Sequence, residues 1–141
     1  IEQYFENYPR VRQYIEECKQ IARERGYAQS MCGRRRYLKD INSLNVNLKS
    51  FAERNAVNMP VQASSADMIK LAMIAIHRRM QTEGLQSKMI MQVHDELVFD
   101  VYKPELEQMK VIVKEEMENA LKLNVPIVVE MNSGENWLVA H

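Results

Sequence analysis

Apolar positions recur at helical spacing near the start of the chain. Val11, Ile15, Cys18 and Ala22 lie four, three and four apart, behind Pro9 and ahead of Gly26. Proline suits the first turn of a helix and glycine its C-terminal stop, so this stretch predicts an amphipathic helix. The residues before Pro9 already have helical character. From Tyr27 to Leu38 the pattern suits two short strands turning at Gly33. A polar connection, Asp40-Ile41-Asn42-Ser43, leads into a long helical stretch from about Val46 to Glu83, which Pro60 should kink or divide. Its second part is apolar nearly all round, from Ala66 to Ile76, the mark of a central buried helix.

The period changes after Gly84. Met89, Met91 and Val93 alternate with Ile90, Gln92 and His94, and Leu97, Phe99 and Val101 alternate with Val98 and Asp100. Two strands joined at Asp95-Glu96 are expected. Pro104 then opens a second amphipathic helix with Leu106, Met109, Val113, Met117 and Ala120 on its buried face. Pro126 to Met131 reads as a last strand, before Gly134 and Trp137. The order implies an α+β fold, an antiparallel sheet with a central hairpin covered on one face by helices.

Composition narrows this picture without changing it. The chain has 141 residues, 46% apolar and 27% charged, as expected of a folded globular chain. Its formal net charge is zero, so any nucleic-acid surface must be local. Cys18 and Cys32 form no disulfide framework and no zinc motif, and are expected as free, buried thiols. No apolar run is long enough to span a bilayer, which makes a cytoplasmic placement the default. The chain opens on Ile1 rather than methionine, which suggests a piece of a longer polypeptide.

Three features carry candidate chemistry. Tight hairpins favour Asn-Gly, Asp-Gly or Gly-X, yet the expected tip is Asp95-Glu96. Adjacent carboxylates repel, and a local rule broken without a folding benefit is expected at a functional site. A divalent cation would relieve the repulsion, and Mg²⁺ accepts one or two carboxylates completed by water and phosphate. On these residues alone a solvated turn is an equal alternative. His94 could orient a substrate, although a lone histidine at a strand end is more often structural. Arg54, Asn58, Gln62 and Ser65 fall within about 80° of one another on a helix, a polar row that could meet phosphates, sugars and minor-groove edges, or be a wet helix face. Gly33-Arg34-Arg35-Arg36-Tyr37 could neutralise phosphates beside a turn, or be a solvated basic run.

The ordered set resembles family A (polymerase-I-like) DNA polymerases. Gln92-Val93-His94-Asp95-Glu96-Leu97-Val98 resembles the last of the family's three motifs, on the palm hairpin. Glu53 to Gln62, running on to Ala66-Asp67, resembles the helix before it. Gly33 to Ile41 resembles the arginine-rich turn of the fingers, and Gly134-Glu135-Asn136-Trp137 the family's C-terminal end. The resemblance implies fingers-side elements over about 1–60 and a palm over about 61–141. It implies Asp95 as a ligand of two catalytic Mg²⁺ ions, Glu96 as a supporting carboxylate and His94 near the primer end. Arg54, Asn58 and Gln62 would touch primer and template in the minor groove, and Arg34, Arg35 and Arg36 the template backbone. The partners implied are primer-template DNA, a deoxynucleoside triphosphate and N-terminal segments of the same polypeptide, with a place at the nucleoid.

Two departures stand out. Ala63 occupies a position where the family usually has glycine, and Leu44 to Leu48 is less basic than expected. The family's first palm motif, which bears another aspartate, and its triphosphate-holding fingers helix have no counterpart in the sequence. The expectation is therefore an incomplete catalytic piece, inactive alone. The alternative is a non-catalytic nucleic-acid-binding or structural module of the same fold.

Overall fold

The computed structural model describes residues 2–140, and the chain divides into two compact units between Asp67 and Met68. The first unit holds helices α1 (Glu2–Asn7) and α2 (Pro9–Arg25), strands β1 (Tyr27–Gln29) and β2 (Arg35–Tyr37), and the first part of α3 (Val46–Thr82). Pro9 lies in the first turn of α2, and Gly26 ends the helix in the left-handed region at φ 76°, its N–H donating to the Ala22 carbonyl. β1 and β2 pair antiparallel, with Tyr27 opposite Tyr37 and Gln29 opposite Arg35. Asn45 starts α3 as its N-cap, accepting the N–H groups of Asn47 and Leu48 on Oδ1 (3.0 and 3.3 Å). The core gathers Ala22, Ala28, Leu38, Ile41, Ala52, Ala56 and Met59, with Ala63 packed against it. The methyl of Ala63 is thus accommodated in core contact.

The second unit holds the rest of α3, strands β3 (Lys88–Val93) and β4 (Glu96–Asp100), a 3₁₀ turn (Lys103–Glu105), and helices α4 (Leu106–Glu118) and α5 (Trp137–Ala140). Ala72, Ile76 and Met80 of α3 pack with Met109, Ile112 and Val113 of α4, and Met89, Leu97 and Phe99 of the hairpin lean on that cluster. Arg79 ties the two helices by pairing with Glu115 and Glu116 of α4, and also pairs with Glu83 just past the end of α3.

Mixed helix with small antiparallel sheets is the observed class, as expected, although the details differ. The strands form two separate two-stranded ribbons rather than one sheet. α3 runs unbroken for 37 residues through Pro60. Proline there removes the N–H that would serve the Ala56 carbonyl, and packing of the flanking turns holds the helix regardless. The second part of α3 is not buried all round: Leu71 and Ile74 are exposed, and the buried stripe is Ile69, Ala72, Ile76 and Met80. The expected last strand, 126–131, is not formed, because β-branched residues make a strand only beside a partner ladder. Of the two thiols, Cys18 is half-buried and Cys32 exposed, so neither is buried as expected. No helix among the described residues is long and apolar enough to cross a membrane.

Candidate nucleic-acid and metal site

The hairpin of the second unit turns at His94-Asp95, because Val93 pairs with Glu96 and Glu96 already belongs to β4. The tip is therefore one residue earlier than the pattern suggested. His94 has φ 54°, the one positive φ of a non-glycine residue among the described residues. A two-residue turn of this kind usually places glycine at its first central position. The turn is braced by Gln92, whose Nε2 donates to the His94 carbonyl at 2.9 Å. His94, Asp95 and Glu96 are all exposed. Ile90 bulges out between the Met89–Phe99 and Met91–Val98 pairs, which breaks the regular alternation expected of β3.

No group of three or more His, Cys, Asp or Glu residues able to hold a metal occurs among the described residues. Two carboxylates stand together here, Asp95 at the tip and Glu96 at the start of β4. An Mg²⁺ ion takes only one or two protein carboxylates beside water and phosphate, so this donor set fits part of such a site.

Arg54, Asn58, Gln62 and Ser65 are exposed along α3 in the first unit. Arg54 lies 5.9 Å over the Phe51 ring and donates to Ser50 Oγ at 2.9 Å. The side chains of Asn58 and Gln62 make no hydrogen bond with another described residue, so their amides are available to a partner.

The arginines of the first hairpin differ in their commitments. Arg34 pairs with the buried carboxylate of Asp67. Arg35 lies 4.7 Å over the Tyr27 ring and donates from Nε to Gln29 at 3.2 Å. Arg36 is exposed and makes no ion pair with a described residue. The polar cluster behind Arg34 (Ser30, Ser64 and Asp67) was not singled out in the sequence. Its trace is Asp67 standing three positions after Ser64, flanked by Ala66 and Met68. The tip and the arginine-bearing hairpin belong to different units.

The chain matches the sequence profile of DNA polymerase family A over residues 1–139. It belongs to that family. It is 46% identical over 140 residues to DNA polymerase I of Streptococcus pneumoniae, and 46% identical over 137 residues to that of Geobacillus stearothermophilus. These matches cover 99% and 97% of the chain, and 16% of each family A relative. Its structure is similar to the polymerase domain of Pol1 from M. smegmatis in complex with DNA primer-template and dNTP, with a TM-score of 0.96 and 42% identity. That match covers 99% of this chain and 24% of the other. Family A membership makes the strained acidic tip and the arginine-bearing hairpin comparable with parts of much longer polypeptides.

Proposed function

We propose that the chain is part of a DNA-directed DNA polymerase, joining a deoxynucleotide to a primer 3′-hydroxyl with release of pyrophosphate. Residues of about 1–60 serve as fingers-side elements and those of about 61–141 as palm. The observation that carries this reading is the acid pair at an exposed hairpin tip, next to a histidine in the left-handed region, in a chain of this family. Strain at such a position is kept where the side chain is needed rather than the turn. The Pol1 neighbour's complex with primer-template and dNTP supports the choice of partners.

Asp95 is the metal ligand in this reading and Glu96 its supporting carboxylate. Two Mg²⁺ ions, when bound, stabilise the attacking and leaving oxygens of the phosphoryl transfer. His94 holds the primer end beside the acids. Arg54, Asn58 and Gln62 bind sugars and base edges in the minor groove, where guanidinium and amide donors match the acceptors common to all base pairs. Arg34, Arg35 and Arg36 bind template phosphates. The second aspartate and the triphosphate grip come from other segments of the polymerase, so the 141 residues alone do not extend primers. On this reading the protein works at the nucleoid.

The test grafts this chain over the matching segment of the Geobacillus stearothermophilus relative. The chimera is expected to extend a primer with Mg²⁺, and Asp95→Ala in it to lose more than about 100-fold in rate, since even groups behind a metal ligand cost 10–100-fold. Retained extension in Asp95→Ala removes the ligand role. Robust extension by the isolated chain removes the claim that the site is partial.

A further inference from the structure

Asp67 is the one buried carboxylate among the described residues, 6% exposed within α3. A carboxylate taken from water must be paired and hydrogen-bonded. Its partners both come from the turn between β1 and β2. Ser30 Oγ donates to Oδ2 at 2.6 Å, and the Arg34 guanidinium pairs with Oδ1. Ser30 in turn accepts the Arg34 N–H on Oγ at 3.1 Å and donates its own N–H to the Arg34 carbonyl at 2.8 Å. One helical turn before Asp67, Ser64 Oγ accepts the Met31 N–H at 2.9 Å. The two α3 residues, three apart, lie on one face of the helix and hold both ends of the turn.

Packing alone does not call for this arrangement. Buried ion pairs are commonly replaced by apolar groups without loss of stability, whereas a directional polar contact fixes register. The turn needs register, since Arg35 and Arg36 follow directly on Arg34 in β2. Arg34 also stays half exposed at 48%, and its guanidinium has more N–H donors than the carboxylate uses.

We propose that Asp67 is a positioning residue for nucleic-acid contact: by holding Ser30 and Arg34 on α3 it sets the direction in which Arg34, Arg35 and Arg36 meet backbone phosphates. The inference rests on the phosphate-binding reading of these arginines given above. Charge alone predicts the opposite sign, because removing an acid next to a basic run favours a polyanion.

The experiment measures binding of a fluorescent primer-template duplex to the 141-residue chain by anisotropy across a salt series. The proteins are the unaltered chain, Asp67→Asn, Ser30→Ala, Arg36→Ala and the Asp67→Asn/Arg36→Ala pair. Asp67→Asn is expected to weaken binding about threefold or more, although it removes a negative charge. It should also flatten the salt dependence by about one phosphate contact. Arg36→Ala should cost less in the Asp67→Asn background than alone, as coupled sites do. Equal or tighter binding by Asp67→Asn, with additive effects, overturns the positioning role while leaving the arginines as DNA contacts. No binding by the unaltered chain overturns the phosphate reading and this proposal with it. Should circular dichroism show Asp67→Asn unfolded, Ser30→Ala decides: weaker binding supports the role, and unchanged binding overturns it.

Discussion

Replacing His94 separates what the hairpin turn needs from what its histidine does. A residue with a Cβ held at φ 54° forfeits about 1–2 kcal/mol relative to an ordinary backbone conformation, less for histidine than for most. Glycine removes that cost but gives the unfolded chain more freedom, which takes back about 0.5–1 kcal/mol. The exposed imidazole makes no hydrogen bond with another described residue. The bond at this position is the one its carbonyl accepts from Gln92 at 2.9 Å, and glycine keeps it. His94→Gly should therefore gain between 0 and about 1 kcal/mol. His94→Val, whose branched Cβ tolerates the left-handed region poorly, should lose about 1–2 kcal/mol. Urea unfolding of the 141-residue chain followed by far-ultraviolet circular dichroism reads both. In the chimeric polymerase His94→Gly should slow primer extension although it does not destabilise the fold. A loss of more than about 1 kcal/mol in His94→Gly would refute the reasoning, since the imidazole would then be a structural group. So would a His94→Val chain as stable as the unaltered one.

Other consequences can be checked in the same way. Ile112→Ala removes a fully buried side chain between α3 and α4 and should cost about 2–5 kcal/mol by urea unfolding, with an unchanged slope. Pro60→Ala restores an N–H inside α3 and should stabilise by about 1–3 kcal/mol; no gain would mean the helix has already adapted to the missing bond. The carboxyl of Glu105 is held below its ordinary 4.5 by the Gln86 N–H and by the hydroxyl and N–H of Ser87. A carboxyl lowered in this way contributes its stability above the unfolded value and loses it as pH falls through the folded one. Glu105→Gln should thus flatten the acid side of the stability profile below about pH 4.5, and an unchanged profile would show that Glu105 is not linked to folding.

Local rules were legible where they act alone. Pro9 and Gly26 bracket α2 because the first-turn and left-handed requirements belong to those residues themselves. The two hairpins could be read from the residue pattern, and the family from the ordered motifs. What escaped depends on partners distant in sequence. The bulge at Ile90 shifts the register of β3 against β4, which alternation cannot reveal. The run after Pro126 has strand-forming residues and no ladder to join among the described residues. Asp67 reads as one polar position in a helix until Ser30 and Arg34, 37 and 33 positions earlier, are found against it. The tip itself was displaced by one residue. That moved the strain from the acids to His94.

The two ribbons are secured by the same chemistry at opposite ends. All four buried polar residues found among the described ones (Ser30, Ser64, Asp67 and Ser87) serve these attachments. In the first unit Ser30 donates to Asp67 and accepts the Arg34 N–H, which pins the hairpin at its turn. In the second, Ser87 donates to Glu105 at 2.6 Å and accepts the Tyr102 N–H at 3.0 Å, which pins the hairpin at its open end. A two-stranded ribbon buries too little apolar surface to fix its own register, so a serine–carboxylate contact supplies what a wider sheet would get from neighbouring strands. The end chosen follows the work proposed for each. Pinning the turn of the first ribbon orients the arginines next to it. Pinning the base of the second leaves the His94-Asp95 tip exposed, where a carboxylate can meet the groups that the proposed reaction would bring to it.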